Sequence, residues 1–185
     1  MMTERLGADI RALRKSRGST LQALSGKVGR SVGWLSQVER GITEPSVRDL
    51  DLIAESLGVS INLFFRSASK RPEEHGIVLR AEDRIPIGTS ESGLVEELLS
   101  PTLGGAFEMI RSVFEPGSDS GGLRPARDRE DGGVIVSGRL TIEINGVEFD
   151  LGPGDSFQFS GGAYAWRNEG DQRAVVIWVI SPPVY

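Results

Sequence analysis

Apolar residues recur at helical spacing from Leu6 to Phe65 and at every second position from Ile77 onward. In the first segment Leu6, Ile10 and Leu13 form one stripe, and Leu21, Leu24 and Val28 the next. Leu35 and Val38 follow, then Val47, Leu50, Ile53, Ala54 and Leu57. Gly18, Gly29, the Gly41–Pro45 stretch and Gly58 interrupt these stripes, and Ser19 or Thr20, Ser31, Ser46 and Ser60 stand where N-caps are needed. The spacing predicts four helices and a short fifth in one small bundle, residues 1–66. Residues 67–76 are polar, contain Pro72 and lack periodicity, so they read as a linker. The single histidine, His75, falls there and is expected to be solvated.

Residues 77–185 carry period-two segments separated by Gly, Pro and Asp turns. Strands are expected at 77–80, 93–99, 106–115, 133–137, 139–145, 147–151, 156–160, 163–168 and 173–180. That succession predicts an antiparallel sandwich or barrel. Asn145-Gly146 is a strong two-residue hairpin signal, and Gly133 to Ile144 reads as another hairpin, about Ser137-Gly138. The expected fold is therefore two-domain, α followed by all-β.

Composition narrows the chemistry. Cysteine is absent, which excludes disulfides, thiol catalysis and Cys-ligated metals. The longest apolar run, Ala174–Ile180, is too short to cross a bilayer as a helix, and the charged start has no apolar signal core. A cytoplasmic protein with no membrane partner is expected. Residues 1–66 hold 10 Lys and Arg against 7 Asp and Glu, whereas residues 67–185 hold 11 against 19. A basic head on an acidic body points to a head that meets a polyanion.

The stretch from Gly18 to Phe65 resembles the helix-turn-helix domain of the XRE family, over about residues 5–65. Gly29 falls at the turn between helices two and three, "LSQVERG" ends the recognition helix, and "PSVRDLDLIAESLGVS" matches the fourth helix. In that family an Arg of helix one pairs with a buried Glu of helix three; Arg14 and Glu39 occupy those positions. The resemblance implies that helix three enters the major groove, N-terminal end first. Ser31, Val32, Gly33, Trp34, Ser36 and Gln37 lie on its leading face. Gln37 suits bidentate bonding to adenine, and Val32 suits a thymine methyl. The family often places Gln at the start of helix two, where this chain has Leu21 followed by Gln22. Thr20 and the helix-two amides then take over phosphate contact, with Arg30, Arg40 and Arg48 as the other phosphate candidates, and Gln22 is counted among the DNA-binding residues.

The second half resembles the cupins, an antiparallel double-stranded β-helix or jelly-roll barrel, over roughly 105–181. Pro116-Gly117 and "RPARDREDGGVIVSG" stand for the first cupin motif, and "LGPGDSFQFSGGAYAWRN" for the second. Counting back from Gly138 puts Pro125 and Arg127 at the histidine positions, with Asp131 or Glu130 at the acid. Tyr164 takes the histidine place of the second motif, and Asn168 closes it. A cupin metal needs three or four converging N/O ligands, so no metal, cofactor or catalytic residue is expected. Arginine cannot ligate a cation, but its fork suits carboxylate or phosphate.

Arg111, Arg127, Tyr164 and Trp166 are the candidate ligand-binding residues. Tyr164 and Trp166 share a strand face, which is either the cup lining or the core. Two ligand chemistries stay open. A polyamine would use Glu108, Glu130, Asp131, Tyr164 and Trp166; an anionic metabolite would use Arg127 with Arg111 or Arg124. The resemblances together imply a sequence-specific transcriptional regulator, a repressor, that binds double-stranded operator DNA. Its cupin domain is expected to form a homodimer and to sense a small-molecule effector. The alternative is a cupin-type metal-dependent enzyme with an accessory helix-turn-helix domain; the missing histidines argue against it.

Overall fold

A computed structural model describes residues 2–65, 71–87 and 93–183. The chain forms two compact units. One runs to Ile85 and includes Ser100–Ala106; the other comprises Pro86–Leu99 and Phe107–Pro182.

The first unit contains α1 (Met2–Ser16), α2 (Leu21–Val28), α3 (Val32–Glu39) and α4 (Val47–Leu57). The expected stripes meet in its core: Ile10, Leu13, Leu24, Leu35 and Ile53 are completely buried. The caps stand where the sequence places them. Thr20 Oγ1 accepts from the Ala23 amide at 3.0 Å, and Ser31 Oγ from the Trp34 amide at 3.1 Å. Ser46 and Asp49 form a reciprocal capping box. Gly29 ends α2 with φ at 71°, a left-handed conformation that a side chain would strain. Gly7 is required for a different reason: a Cβ there would lie 2.3 Å from the Val38 carbonyl, so α1 and α3 cross in backbone contact.

The expected fifth helix is a single 3-10 turn, Ile61–Phe65, so the unit has four α-helices. Gly58 caps α4 in the left-handed region, and the short segment after it is rich in β-branched and aromatic residues. Only one tight turn forms, closed by Leu63 N–H donating to the Ser60 carbonyl at 3.0 Å.

Part of the predicted linker, residues 67–70, lies outside the described residues. The described remainder is organised around buried Glu74, which accepts from Arg71 and Arg80. The strand expected at 77–80 does not form. Arg80 is turned back to Glu74, Ile77 is exposed, and a 3-10 turn follows at Ala81–Asp83. The first strand is instead β1 (Pro86–Ile87).

The second unit continues with β2 (Leu94–Leu98), β3 (Glu108–Phe114), β4 (Glu130–Ser137), β5 (Leu140–Ile144) and β6 (Val147–Leu151). It ends with β7 (Ser156–Ser160), β8 (Tyr164–Arg167) and β9 (Ala174–Ser181). These form a six-stranded sheet, β1-β2-β3-β9-β4-β7, and a three-stranded sheet, β6-β5-β8, all antiparallel. Asn145 and Gly146 both have positive φ, 51° and 81°, as the tight β5–β6 hairpin demands.

The second predicted hairpin is a correction. β4 and β5 do not pair; they belong to different sheets, and Ser137-Gly138 is the corner between them. A register shift at Ile135/Ser137 bends β4, and Gly138 (φ 72°) sits against the start of β9. A Cβ on Gly138 would come within 2.3 Å of the Arg173 carbonyl, so the close approach fixes the corner.

Candidate functional site

The helical unit presents one side of α3 and buries the other. Leu35, Val38 and Glu39 face the core, while Ser31, Val32, Gly33, Gln37 and Arg40 are exposed and Trp34 and Ser36 half-buried. A Cβ on Gly33 would meet only the Ser31 hydroxyl, at 4.0 Å, so its absence leaves backbone free to approach a partner there. Thr20 and Gln22 are exposed at the start of α2, and Arg48 on α4. Gln37 is already partly engaged: Thr43 Oγ1 donates to its amide oxygen at 2.9 Å. An amide oxygen has a second lone pair, so oxygen and NH2 can still address a base edge together.

The arginines differ from one another. Arg40 Nε donates to the Ser36 carbonyl at 3.2 Å and its side chain is exposed. Arg30 grips Asp49 with both arms of its fork, at 2.9 and 3.2 Å, and its guanidinium lies 5.3 Å from the Trp34 ring centre. It therefore ties the α2–α3 turn to the α4 cap, and half of its side chain stays open to a phosphate. Burial alone would raise the Asp49 carboxyl, but bonds from Arg30 and Ser46 outweigh it and hold that carboxyl below its ordinary value.

The Arg14–Glu39 pair forms as the resemblance implies. Arg14 Nε and Nη2 donate to the two Glu39 oxygens at 2.6 and 2.9 Å, and Nη1 donates to the Ser19 carbonyl at 2.9 Å. The bond to Glu39 raises the Arg14 pKa further, so its charge is permanent. The pair sets α1 against α3 behind the exposed face.

In the β unit, strand parity decides which side chains reach the interior. Arg129, Asp131, Gly133 and Ile135 alternate along one face, and Phe157, Phe159, Trp178 and Ile180 flank them in register. Gly133 is glycine by contact: a Cβ would lie 2.6 Å from the Phe157 ring. Phe157 meets Trp178 edge-on at 4.8 Å, Phe159 meets Tyr164 at 5.4 Å, and Tyr164 meets Trp178 at 6.2 Å. Glu96 and Ser112 are register partners on β2 and β3, and the Ser112 hydroxyl donates to Glu96 at 3.1 Å. Arg124 reaches the same interior from the preceding loop, where paired backbone bonds of 2.7 and 3.2 Å bind it to Tyr164.

Electrostatics joins these groups. Burial pushes the Glu96 carboxyl above its ordinary value, and Ser112, Arg124 and Arg129 oppose that shift in part. Burial likewise raises the Tyr164 phenol, against the pull of Arg124 and Arg129. Arg129 Nε donates to Asp131 Oδ2 at 2.8 Å, with the two side chains 10% and 5% exposed.

Of the sequence candidates, Tyr164 lies in this cluster. Trp166 is 3% exposed and packs edge-on against Phe114 at 4.6 Å, in the hydrophobic core. Arg111 stands on the opposite face of β3 from Ser112 and pairs with Glu97 at 3.2 Å. Arg127 is exposed in the loop before β4. Sequence counting singled out Arg127, whereas Arg129 is two residues further on. Between them the Arg129 amide donates to the Arg127 carbonyl at 2.8 Å, a tight turn that breaks the alternation the count assumes. Asn168 is a latch: its amide nitrogen donates to the Phe114 and Gln172 carbonyls at 3.0 and 2.8 Å.

The metal common in cupin barrels does not fit this donor set. Among the described residues no three of His, Cys, Asp and Glu converge to hold an ion, and two guanidiniums enter the interior instead. Nor, among those residues, is any helix long and apolar enough to cross a membrane.

Comparison with known proteins agrees with this division. Residues 5–64 match the family described as "Helix-turn-helix domain", and residues 110–180 match "Cupin domain". The HTH-type transcriptional regulator PuuR of Escherichia coli (strain K12) is 23% identical over 156 residues, covering 84% of this chain and 83% of that protein. Transcriptional regulator ClgR of Mycobacterium tuberculosis (strain H37Rv) is 32% identical over 81 residues, covering 44% of this chain and 72% of ClgR. The solved structure of hydroxypropylphosphonic acid epoxidase from S. wedmorenis overlays with a TM-score of 0.50 at 17% identity, covering 96% of this chain and 97% of that one. That likeness speaks of fold alone. With a matching reading head, a matching barrel and regulators among its relatives, the chain belongs to the XRE-type helix-turn-helix transcriptional regulators, and its second unit is a cupin domain.

Proposed function

We propose that this chain is a repressor that binds operator DNA as a homodimer and senses a small metabolite in a cupin domain that performs no catalysis. The observation that carries the DNA reading is the two-sided α3. Its Leu35, Val38 and Glu39 are locked into the core, and its Val32, Gly33, Gln37 and Arg40 are left outward. Ser31, Trp34 and Ser36 belong to the same helix face, and Thr20, Gln22, Arg30 and Arg48 are the exposed residues assigned to positioning contacts. One such helix reads too few base pairs for genomic specificity, which favours two heads across a two-fold axis. The outer face of the six-stranded sheet carries Val134, Ile177 and Val179 in a shallow groove, and it is the surface assigned here to a second copy.

The test is operator binding by the full chain, on DNA selected from random duplexes, with footprinting and light scattering. The expected result is a dimer on two half-sites about one helical turn, roughly 34 Å, apart. The logarithm of affinity should fall linearly with the logarithm of salt, by about 0.9 for each phosphate neutralised. A monomer that gives the full-length footprint would overturn the dimeric reading, and salt-independent binding would overturn the interface.

An enzyme reading rests on the fold shared with the epoxidase. Arg124 and Arg129 inside the barrel favour the sensor, since neither can hold a metal. Iron found in stoichiometric amount in purified protein would reverse that preference.

A further inference from the structure

We propose that the cup takes a small molecule bearing a carboxylate together with an ammonium or hydroxyl donor, an amino acid or a hydroxy acid, with Arg124 receiving the carboxylate and Asp131 the donor. This inference rests on the reading of the cupin domain as a sensor. Two buried polar atoms beside Tyr164 in the barrel interior have no hydrogen-bond partner among the described residues: Arg124 Nε and Asp131 Oδ1. They are opposite in kind, one a donor on a cation and the other an acceptor on an anion. The Asp131 side chain is only 5% exposed, and its other oxygen is taken by Arg129. Native interiors rarely leave such atoms unpaired, and each calls for a complementary group.

The charges in the cup select against the simpler ligands. A diamine would satisfy Asp131 but would bring positive charge to Arg124 and Arg129 and leave Arg124 Nε bare. A dicarboxylate would satisfy Arg124 but would set a second anion against Asp131 and Glu96. Glu108 is buried in the row of Asp131 and Ile180 and has interactions of its own. A ligand with one anionic end and one donor end meets both orphans at once. The wall of Phe159, Tyr164 and Trp178 offers apolar surface for whatever carbon skeleton joins those ends.

The experiment is titration calorimetry on the full chain with five series. These are the L-amino acids, 2-hydroxy acids, the matching amines without the carboxylate, the matching acids without the donor, and α,ω-diamines. The expected result is binding within the first two series and at least tenfold weaker binding once either group is removed. Arg124→Gln should abolish the preference for the acid over its amine, and Asp131→Asn the preference for the donor-bearing acid over its bare analogue. Circular dichroism confirms that each variant is folded, and the wild-type series decides the matter if one is not. Diamines or donor-free acids binding as tightly as amino and hydroxy acids, or no member binding, would overturn the inference. Operator binding measured alongside separates the two readings. A ligand of this class that binds without moving operator affinity sinks the sensor and keeps the ligand class. A ligand of another class that releases the operator does the reverse.

Discussion

Removing the carboxylate of Glu39 while Arg14 stays in place isolates the energetic role of the pair behind the reading face. The two side chains are 5% and 11% exposed, and two bonds of 2.6 and 2.9 Å join them. In Glu39→Ala the guanidinium keeps its bond to the Ser19 carbonyl and loses its counter-charge. Stranding one member of a buried pair costs about 3–5 kcal/mol. At roughly 4–8 °C per kcal/mol for a domain of 60–100 residues, the helical unit should melt at least ~12 °C lower. Urea denaturation followed at 222 nm reads this directly, because the α-helices lie in one unit. The double variant Arg14→Met/Glu39→Leu should recover most of the loss, since well-packed apolar replacements remove the desolvation cost. A loss under about 1 kcal/mol for Glu39→Ala, or a double variant as unstable as the single one, would refute the reasoning.

Three further outcomes are expected. Gln37→Ala should lose about 1–3 kcal/mol of discrimination between operator and random DNA, while Arg40→Ala weakens both alike; competition binding distinguishes them, and equal losses for Gln37→Ala would remove it from base reading. Gly7→Ala should cost about 1–3 kcal/mol by forcing α1 off the Val38 carbonyl, measurable in the same urea series; unchanged stability would mean that the crossing is slack. Asp49 has a folded-state pKa below its unfolded value, so its contribution is complete above the ordinary carboxyl pKa of about 3.9 and disappears as pH falls through the folded value; Asp49→Asn should flatten that part of the acid-unfolding curve.

What the sequence made legible was local. Thr20, Ser31 and Ser46 announce their helices because an N-cap is a chemical requirement met within three residues. Gly29 and Asn145-Gly146 do the same for positive φ. Arg14 and Glu39 were legible through family resemblance, since periodicity alone does not pair residues 25 positions apart. Apart from the fifth helix, which fails for local reasons, the misreadings turn on distant contacts or broken alternation. Ser137-Gly138 looks like a hairpin until β9 is laid against it, and residues 77–80 look like a strand until Arg80 finds Glu74. Arg124 is among the residues named for an anionic ligand, but Arg127 was singled out over Arg129 because a count of residues carries no information about the tight turn between them. Arg111 was lost to parity: one position along β3 separates the cup from the outer surface.

The attachment of Arg124 has a mechanical consequence. Its backbone is stitched to Tyr164 on β8, whereas Asp131 rides on β4. The two orphan groups thus hang from different sheets, which are joined covalently at corners such as Ser137-Gly138, by the Asn168 latch to the Phe114 carbonyl, and by packing. Anything that grips both groups acts as a rivet through the sandwich, opposing the slide of one sheet over the other. Amide hydrogen exchange should record that stiffening as slower opening in β4 and β8 together, strands that share no hydrogen bond.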